Sequence, residues 1–393
     1  MKPRKQPTPD LDNIIPILLN QWRRKLEIYG PQDRLQTREF RGVVNKVREM
    51  QNGIFDGDSL LGEDYFSDKS LLAAYTLYHW IIHYQQGLSL INEIPEPPKR
   101  VLDLCAGPCA FSFAALRHGA EEVIAIDKNL ESLLWGAQIC GRYGLPVTVR
   151  QGDCRQPLKK IEGKFDLIIV AHALREMFPD MEKNNAAATS WLRNISSLLS
   201  PNGHLLLVDS PLHLPNRALL KVRDSLVEKG MSIQAPCLFK GPCPALERQD
   251  SPCYAQREME KPFLVSEIQR AASINLSSLK MSYVLFKAPD AAWPEAQPNF
   301  YRVISPPFES HQGTAYYLCG PDGKKRINGD KINNLPQHQR AFAHLKRGDL
   351  ISILNSSERG NTYELQPDTE IKIIAAPGKA FLGVQPPETL PEA

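Results

Sequence analysis

The chain has 393 residues, of which 42% are hydrophobic and 23% are charged, and its formal net charge is +3. This length predicts two or three domains, and the composition is that of a globular protein rather than a disordered one. The small net charge excludes nucleic-acid binding through an overall basic surface, so such contacts would come from local patches. Apolar runs fall short of the roughly 18 residues of a membrane span. The N-terminus lacks the apolar core of a secretory signal. We therefore expect a cytoplasmic protein without membrane contact, whose eight cysteines are thiols or metal ligands.

Residues 1–97 are predicted to form an N-terminal helical region. Apolar residues recur at helical spacing after Asp10, and residues 38–50 and 71–91 are further candidate helices. The last of these is rich in aromatic residues, which is more typical of a buried helix than of a nucleic-acid surface. His79 and His83 are spaced i, i+4, but they have no acidic or Cys partner nearby, so a metal site is not expected there.

Residues 100–134 carry the pattern on which the rest of the prediction depends. A short apolar run at 101–104 is followed by a tight loop, a helix at 110–117 and a second apolar run that ends in Asp127. This order predicts a right-handed crossover between parallel strands. Asp127 lies twenty-four residues after Asp103, at the tip of the second strand, where a carboxylate accepts hydrogen bonds from a ribose diol. The pattern therefore indicates half of a nucleoside-cofactor site.

The loop that begins at Asp103 resembles the D-x-G-x-G-x-G loop of class I methyltransferases, which are Rossmann-like α/β proteins that bind S-adenosylmethionine. This resemblance implies cofactor contacts from Asp103, Cys105 and Gly107 in the loop, from Asp127 at the ribose and, on the adenine side, from an acid after the third strand. The remaining cofactor residues are expected to be this acid, Asp153, and His172, which follows the fourth strand.

Two features of this region leave catalysis open. Cys105 and Cys109 stand where such enzymes usually carry Gly, and a Cβ there can obstruct a positive φ, so the alternative is a retained scaffold with a weakened pocket. His172 or Glu176 would orient a methyl acceptor or remove its proton, although Glu176 is more readily an exposed loop residue. The motifs of base-amine and cytosine-C5 methylation are absent at this point of the chain. No catalytic residue is assigned.

Further strands are expected at 165–170 and 205–209, and they complete a methyltransferase-like domain over residues 98–289. Residues 231–234 and 280–287 would form the sixth and seventh strands, which normally make a hairpin. A long insertion, over residues 231–262, separates them here.

The insertion carries Cys237, Cys243 and Cys253, each preceded by Pro, and Cys319 is the candidate for a fourth ligand. Thiols on rigid loops are suited to a metal cage, and four thiolates fit either zinc or a [4Fe-4S] cluster. Zinc ligands usually pair as C-x₂₋₄-C, so the irregular spacing here favours iron–sulfur. The alternative is that these are four unrelated free cysteines that bind no metal.

The G-P-C-P run, the later Pro-Cys-Tyr, the strand at 280–283 and the L-C-G-P-D-G run together resemble the methyltransferase-like family of small-ribosomal-subunit assembly proteins. That family includes the mitochondrial small-subunit member and its bacterial relatives, and the resemblance covers about residues 65–350. It implies a four-Cys [4Fe-4S] site made by Cys237, Cys243, Cys253 and Cys319. It also implies association with small-subunit rRNA in ribosome assembly and translation, and no DNA partner is expected.

Members commonly keep Gly at the positions of Cys105 and Cys109, so an S-adenosylmethionine-dependent methyltransferase activity follows from the resemblance less directly than the fold does. A different class stays open, namely a small-molecule methyltransferase with a structural zinc.

From residue 298 the pattern becomes rich in β-strands. Short strand candidates lie at 301–304, 315–318, 349–354, 362–365 and 370–374, and they predict a small barrel-like domain over residues 298–384. Basic runs at 324–326 and 340–347 would either contact phosphate or form ordinary surface charge. Residues 385–393 are expected to be a tail.

Overall fold

The computed structural model describes residues 7–56, 59–60, 63–156, 161–249, 251–311, 313–330 and 334–383. The tail expected at residues 385–393 lies outside these ranges. The chain begins with four helices, α1 (Leu11–Leu26), α2 (Thr37–Met50), α3 (Lys69–Leu77) and α4 (His79–Ile91). A π-helical turn at Gln51–Asp56 continues α2, and a 3₁₀ turn at Tyr65–Ser67 precedes α3.

Strands and helices then alternate along the chain. They are β1 (Arg100–Leu104), α5 (Ala110–Arg117), β2 (Glu122–Asp127), α6 (Leu130–Arg142), β3 (Thr148–Gln151), β4 (Phe165–Ala171), α7 (Leu174–Met177), α8 (Met181–Ser196), β5 (Leu199–Asp209), α9 (His213–Glu228), β6 (Ile233–Ala235), β7 (Ala255–Arg257), α10 (Phe263–Ala272) and β8 (Leu279–Lys287). The strands form one sheet in the order β3-β2-β1-β4-β5-β8-β6, with β7 paired to β8. Neighbours among β1 to β5 are parallel, whereas β8 runs antiparallel to both β5 and β6. This is a class I methyltransferase sheet, and the predicted fold class is confirmed.

The sheet separates two apolar cores, and the alternation of side chains along β4 shows how. Leu167 and Ile169 face the core that the helices α1, α3, α4, α5 and α6 cover, while Ile168 and Val170 face the core under α8 and α9. Successive side chains of a strand point to opposite faces, so a strand covered on both sides is apolar throughout. This burial is the reason that short continuous apolar runs marked the strands in the sequence.

The helix expected over residues 71–91 is interrupted at Tyr78, whose φ of −130° and ψ of −69° lie outside the helical region. The break divides the packing, because α3 packs against α1 and α2 whereas α4 packs against α5. The aromatic rings of Tyr78, Trp80 and Tyr84 are buried, so this stretch belongs to the core rather than to a nucleic-acid surface.

The expected pair of strands around the insertion is present with shifted ends. β6 and β8 are antiparallel, with Ile233 opposite Phe286. The chain between them contains β7 and α10, and the rest of the insertion is irregular apart from a 3₁₀ turn at Pro244–Leu246.

The C-terminal region has a second sheet made by β9 (Phe300–Val303), β10 (Phe308–Ser310), β11 (Gly313–Gly320), β12 (Gly323–Gly329), β13 (Leu350–Leu354), β14 (Ser357–Arg359), β15 (Thr362–Glu364) and β16 (Glu370–Ala375). Its order is β14-β15-β12-β11-β9-β13-β16, with β10 on β11. All pairs are antiparallel except β12 with β15. The region is therefore β-rich, as expected, although the division into domains at residues 97 and 298 stays a prediction.

Within the ranges that the structure describes, no helix has both the length and the apolarity that crossing a bilayer requires. The expected localisation stays a prediction.

Candidate functional site

The loop between β1 and α5 adopts a left-handed backbone at every second residue. The φ angles are 57° at Cys105, 48° at Gly107 and 60° at Cys109. The left-handed region is unfavourable for a residue with a Cβ by roughly 1–2 kcal/mol. Cys105 and Cys109 thus adopt a backbone conformation that is strained for a residue with a side chain. Hydrogen bonds hold the loop, since the backbone N–H of Ala106 donates to the carbonyl of Ile126 over 3.0 Å.

Asp127, at the tip of β2, is oriented by backbone donors. Its Oδ2 accepts from the N–H of Gly107 and its Oδ1 from the N–H of Asn129, each over 2.9 Å. Burial raises the pKa of this carboxyl, while the two backbone donors act to lower it. The carboxylate is therefore fixed against the loop, at the carboxyl edge of the sheet where doubly wound folds bind their ligands.

Two other acids have different roles in the same cleft. Asp103 is buried at the end of β1 and accepts a hydrogen bond of 2.6 Å from the Ser112 hydroxyl, which joins α5 to β1. Burial raises the pKa of Asp103 to about 7. Asp153 faces the guanidinium of Arg155 over 2.8 Å, and this partner lowers its pKa. Asp153 is thus the acid of this group that lies nearest to solvent.

His172 lies across the cleft, directly after β4, with a φ of 56°. Its ring stacks on that of His83 with the centroids 4.1 Å apart, and its Nε2 lies 3.0 Å from Oε1 of Gln86. The Tyr75 hydroxyl lies 2.7 Å from Nδ1 of His83. Burial lowers the pKa of His172 to about 4, so the ring is neutral at pH 7.

Glu176, on α7, is a partly buried cleft residue rather than the exposed loop residue that was expected. The hydroxyl of Tyr65 donates to its Oε1 over 3.3 Å. Burial raises the pKa of Glu176 to about 7, so the carboxyl exchanges a proton near neutral pH. A group with this pKa is suited to general acid–base work.

All six predicted cofactor residues line this one cleft, namely Asp103, Cys105, Gly107, Asp127, Asp153 and His172. The structure adds a wall that the sequence analysis missed, made by the turn before α3. Asp64 accepts a hydrogen bond of 2.7 Å from the Asn129 side chain, and a Cβ placed on Gly107 would meet the ring of Phe66 at 3.2 Å. A turn this short has no periodicity, so no sequence signal marks it.

The four predicted metal ligands gather around a second cavity. Cys237, Cys253 and Cys319 line it together with Arg347, and Cys243 packs beside Cys253. Burial, and then the charges of Cys237 and Cys319, raise the pKa of Cys253 to about 12. The pKa values of Cys243 and Cys319 are also raised, first by burial and then by the neighbouring thiols.

The thiol side chains are of the type that binds soft metals, but their positions do not form a coordination site. Among the described residues, no group of three or more His, Cys, Asp or Glu side chains is arranged to hold an ion. The structure thus places the four cysteines in one neighbourhood without arranging them as ligands.

Helix α9 positions the irregular insertion through side chains that bind its backbone. Asp224 accepts hydrogen bonds from the N–H of Cys243 over 3.0 and 2.9 Å. The fully buried guanidinium of Arg223 donates to the carbonyls of Gly241 and Phe239. Asn216 donates to the carbonyl of Cys253 over 2.7 Å. The backbone at Cys243 and Cys253 is therefore held by a helix that packs on the methyltransferase sheet, whereas Cys319 lies on a strand of the second sheet.

Cations of the C-terminal region attach to the other side of the insertion. Arg302, on β9, donates to the carbonyl of Pro236 over 3.2 Å, and Lys324, on β12, donates to the hydroxyl of Ser251 over 2.9 Å. The guanidinium of Arg347 lies 3.9 Å from the ring centroid of Tyr254. The insertion is thus enclosed between α9 and the second sheet.

Comparison with known proteins gives a family and several partial relatives. The family model described as Mitochondrial small ribosomal subunit Rsm22 matches residues 72–332. The chain is 29% identical over 119 residues to the ribosomal protein L11 methyltransferase of Symbiobacterium thermophilum, covering 30% of this chain and 34% of that protein. It is 32% identical over 91 residues to the ribosomal protein L11 methyltransferase of Thermosipho africanus, covering 22% of this chain and 34% of that protein. The chain thus spans about a third of the length of these curated relatives.

Among solved structures it is similar to the N-methyltransferase NodS from Bradyrhizobium japonicum WM9 in complex with S-adenosyl-L-homocysteine. The identity is 14%, the TM-score is 0.36, and the match covers 63% of this chain and 100% of that chain.

Proposed function

Because the chain belongs to the Mitochondrial small ribosomal subunit Rsm22 family, we propose that it binds S-adenosylmethionine and an iron–sulfur cluster and binds or methylates small-subunit rRNA during ribosome assembly. The observation that carries the cofactor part is the carboxylate of Asp127, held by two backbone donors beside a loop that is left-handed at Cys105, Gly107 and Cys109.

The cleft supports binding of a nucleoside with an amino-acid tail. Asp127 would accept the ribose hydroxyls, Asp153 would lie on the adenine side, and the loop at residues 105–107 would follow the methionine moiety. Gly107 matters because its φ is left-handed and a Cβ there would lie 3.2 Å from the Phe66 ring, which would then have to shift slightly. S-adenosylmethionine, when bound, would supply the methyl group, and the residues of this chain would orient it.

The opposite wall of the cleft supports the methylation alternative over simple binding. Glu176, with a pKa of about 7, would accept a proton from a methyl acceptor, and Tyr65 would hold its carboxyl in place. His172 is neutral at pH 7 and would act as a hydrogen-bonding partner rather than as a positive charge that repels the cofactor sulfonium.

The cluster part of the proposal is supported by the donor set. Four thiols meet between α9 and the second sheet, and sulfur ligands select iron–sulfur clusters or zinc over harder metals. Metal binding would lower the pKa values of these thiols, since a coordinated thiol is deprotonated. If the purified protein is colourless and contains one tightly bound zinc, the zinc alternative holds and the cluster assignment is wrong.

Calorimetric titration with S-adenosylmethionine tests the cofactor part. The unaltered protein should bind, and Asp127→Asn should weaken binding by at least about tenfold, because one charge-assisted hydrogen bond contributes about 1.5–3 kcal/mol. Asp33→Asn is the matched control, since that carboxylate is exposed and is not among the residues that line the cleft. If the unaltered protein shows no heat of binding at millimolar cofactor, the enzymatic half of the proposal is wrong.

Sucrose-gradient sedimentation of a cell lysate tests the rRNA part. The protein should migrate with immature small subunits, whereas a small-molecule methyltransferase would stay at the top of the gradient. Anaerobic purification then tests the metal, because Cys319→Ser should lose iron and visible absorbance while Cys140→Ser, a thiol on α6, should keep both. Full iron retention in Cys319→Ser would contradict the four-Cys assignment.

A further inference from the structure

The outer face of the second sheet carries a stacked aromatic pair. The rings of Phe308, on β10, and Tyr317, on β11, have centroids 4.8 Å apart and planes inclined by 28°. Tyr317 is 39% exposed, whereas its chain neighbours Tyr316 and Leu318 are fully buried on the other face. The ring pair therefore projects away from the core of this sheet instead of filling it.

Two cations lie over the same pair. The Nζ of Lys324 is 4.6 Å from the Tyr317 centroid, and the guanidinium of Arg326 is 5.4 Å from the Phe308 centroid. Arg326 is opposite Tyr317 in the β11–β12 register, so these side chains share one face. Lys325 between them points to the other face, where it pairs with Asp322 and Glu358.

The charge on this face is not neutralised internally. Within the ranges that the structure describes, no ion pair joins Lys324 or Arg326 to a carboxylate; the hydrogen bonds of their cationic groups go to the neutral oxygens of Ser251 and Asn328. Two positive charges beside two aromatic rings provide both contacts that an unpaired nucleotide makes, a phosphate contact and a stacking contact. A surface that binds a protein partner would be expected to carry an apolar patch, whereas this surface carries two cations beside the rings.

We propose that Phe308, Tyr317, Lys324 and Arg326 form a binding site for an unpaired nucleotide of single-stranded RNA. This inference rests on the proposed rRNA role and assigns that role a surface. The base stacks on the ring pair, and the cations bind the flanking phosphates. Because Lys324 is opposite Cys319 in the β-register, the site adjoins the cysteine cavity.

Fluorescence anisotropy with a fluorescein-labelled, unstructured RNA of about twelve nucleotides tests the site, since this length is within the range that one small β-domain covers. Phe308→Ala and Tyr317→Ala should each weaken binding about tenfold, which is the effect of losing one stacking contact. Tyr317→Phe keeps the ring and should bind like the unaltered protein. Lys324→Gln should lower the slope of log Kd against log salt concentration by about one.

Controls separate the site from folding and from the metal. Tyr29→Ala removes a ring that is 94% exposed in the helical region, and it should leave RNA binding unchanged. Iron and zinc contents are measured for every variant, because Tyr317 is two residues from Cys319. Phe308→Ala provides a second variant on a different strand.

The possible outcomes differ for this site and for the rRNA role. Co-sedimentation with small subunits together with unchanged RNA affinity in both Ala variants would overturn the site and leave the role. Loss of co-sedimentation in the variants with unchanged RNA affinity would show that the surface contacts a protein, which also overturns the proposal. An unaltered protein that neither binds the RNA nor co-sediments would remove the rRNA role itself.

Discussion

Replacing Glu93 by Leu is expected to destabilise the protein more than any exposed charge change. Glu93 follows α4, and its Oε1 lies 2.5 Å from the guanidinium of Arg257 on β7. The Tyr283 hydroxyl, on β8, donates to its Oε2 over 2.6 Å. The side chains of the ion pair are only 3% and 7% exposed, so neither group can recover its hydration when the other is removed.

The magnitude follows from what Glu93→Leu leaves behind. Removing one partner of a buried ion pair is destabilising by about 3–5 kcal/mol, because the other charge remains buried. Arg257 keeps hydrogen bonds to the carbonyl of Gln256, over 2.9 Å, and to the hydroxyl of Tyr283, over 3.4 Å, which favours the lower end. We expect a loss of about 3 kcal/mol for Glu93→Leu. Tyr283→Phe removes one hydrogen bond to a charged group and should lose about 1.5 kcal/mol.

Urea unfolding followed by far-ultraviolet circular dichroism measures these losses. Glu121→Gln is the matched control, since Glu121 pairs with Lys99 at 70% exposure and should change the free energy of unfolding by less than about 0.5 kcal/mol. Hydrogen exchange should show faster opening of β7, which begins two residues after Cys253. A loss in Glu93→Leu no larger than that in Glu121→Gln would refute the reasoning.

Three further predictions concern the cleft and the insertion. Burial raises the pKa of Asp103 to about 7, above its unfolded value of 3.8. The folded state thus binds this proton more tightly, and ionisation of Asp103 opposes folding as pH rises from about 4 to about 7. Asp103→Asn should remove that decline, so its stability relative to the unaltered protein, measured by urea unfolding, should rise across this window and stay constant above it; a constant difference throughout would contradict the assignment. Gly107→Ala combines a φ of 48° with a contact of 3.2 Å to Phe66, and it should lose stability by about 1–2 kcal/mol and weaken cofactor binding in calorimetry. Gly144→Ala, with a φ of 85° and open space around its Cβ, is the control that isolates backbone strain, so equal effects of both variants on cofactor binding would exclude the Phe66 wall. Arg223→Met should free the insertion carbonyls that Arg223 now binds, and it should increase proteolytic cleavage near residue 240 and reduce bound metal; an unchanged cleavage pattern would show that α9 does not hold the insertion.

Local sequence patterns were enough to predict the fold class, which is confirmed, and to propose the acids at the ends of β1 and β2 as cofactor residues. Both depend on local patterns, because a strand covered on two faces is a short apolar run and the acid at its end lies at the ligand edge. The left-handed loop is a local feature as well, but its outcome at Cys105 and Cys109 was open, since neighbouring hydrogen bonds decide whether strain is tolerated.

Contacts between distant side chains could not be read from local patterns. Glu93 and Arg257 are 164 positions apart, and no periodicity links them. The break at Tyr78 separates two halves of one apolar stretch that pack against different helices. The turn that places Phe66 against Gly107 is too short to carry a pattern. Packing of remote segments also placed Glu176 in the cleft beside Tyr65, where burial raises its pKa. Local patterns specify which elements form, whereas contacts between elements depend on the packing of the whole chain, which a short stretch of sequence does not contain.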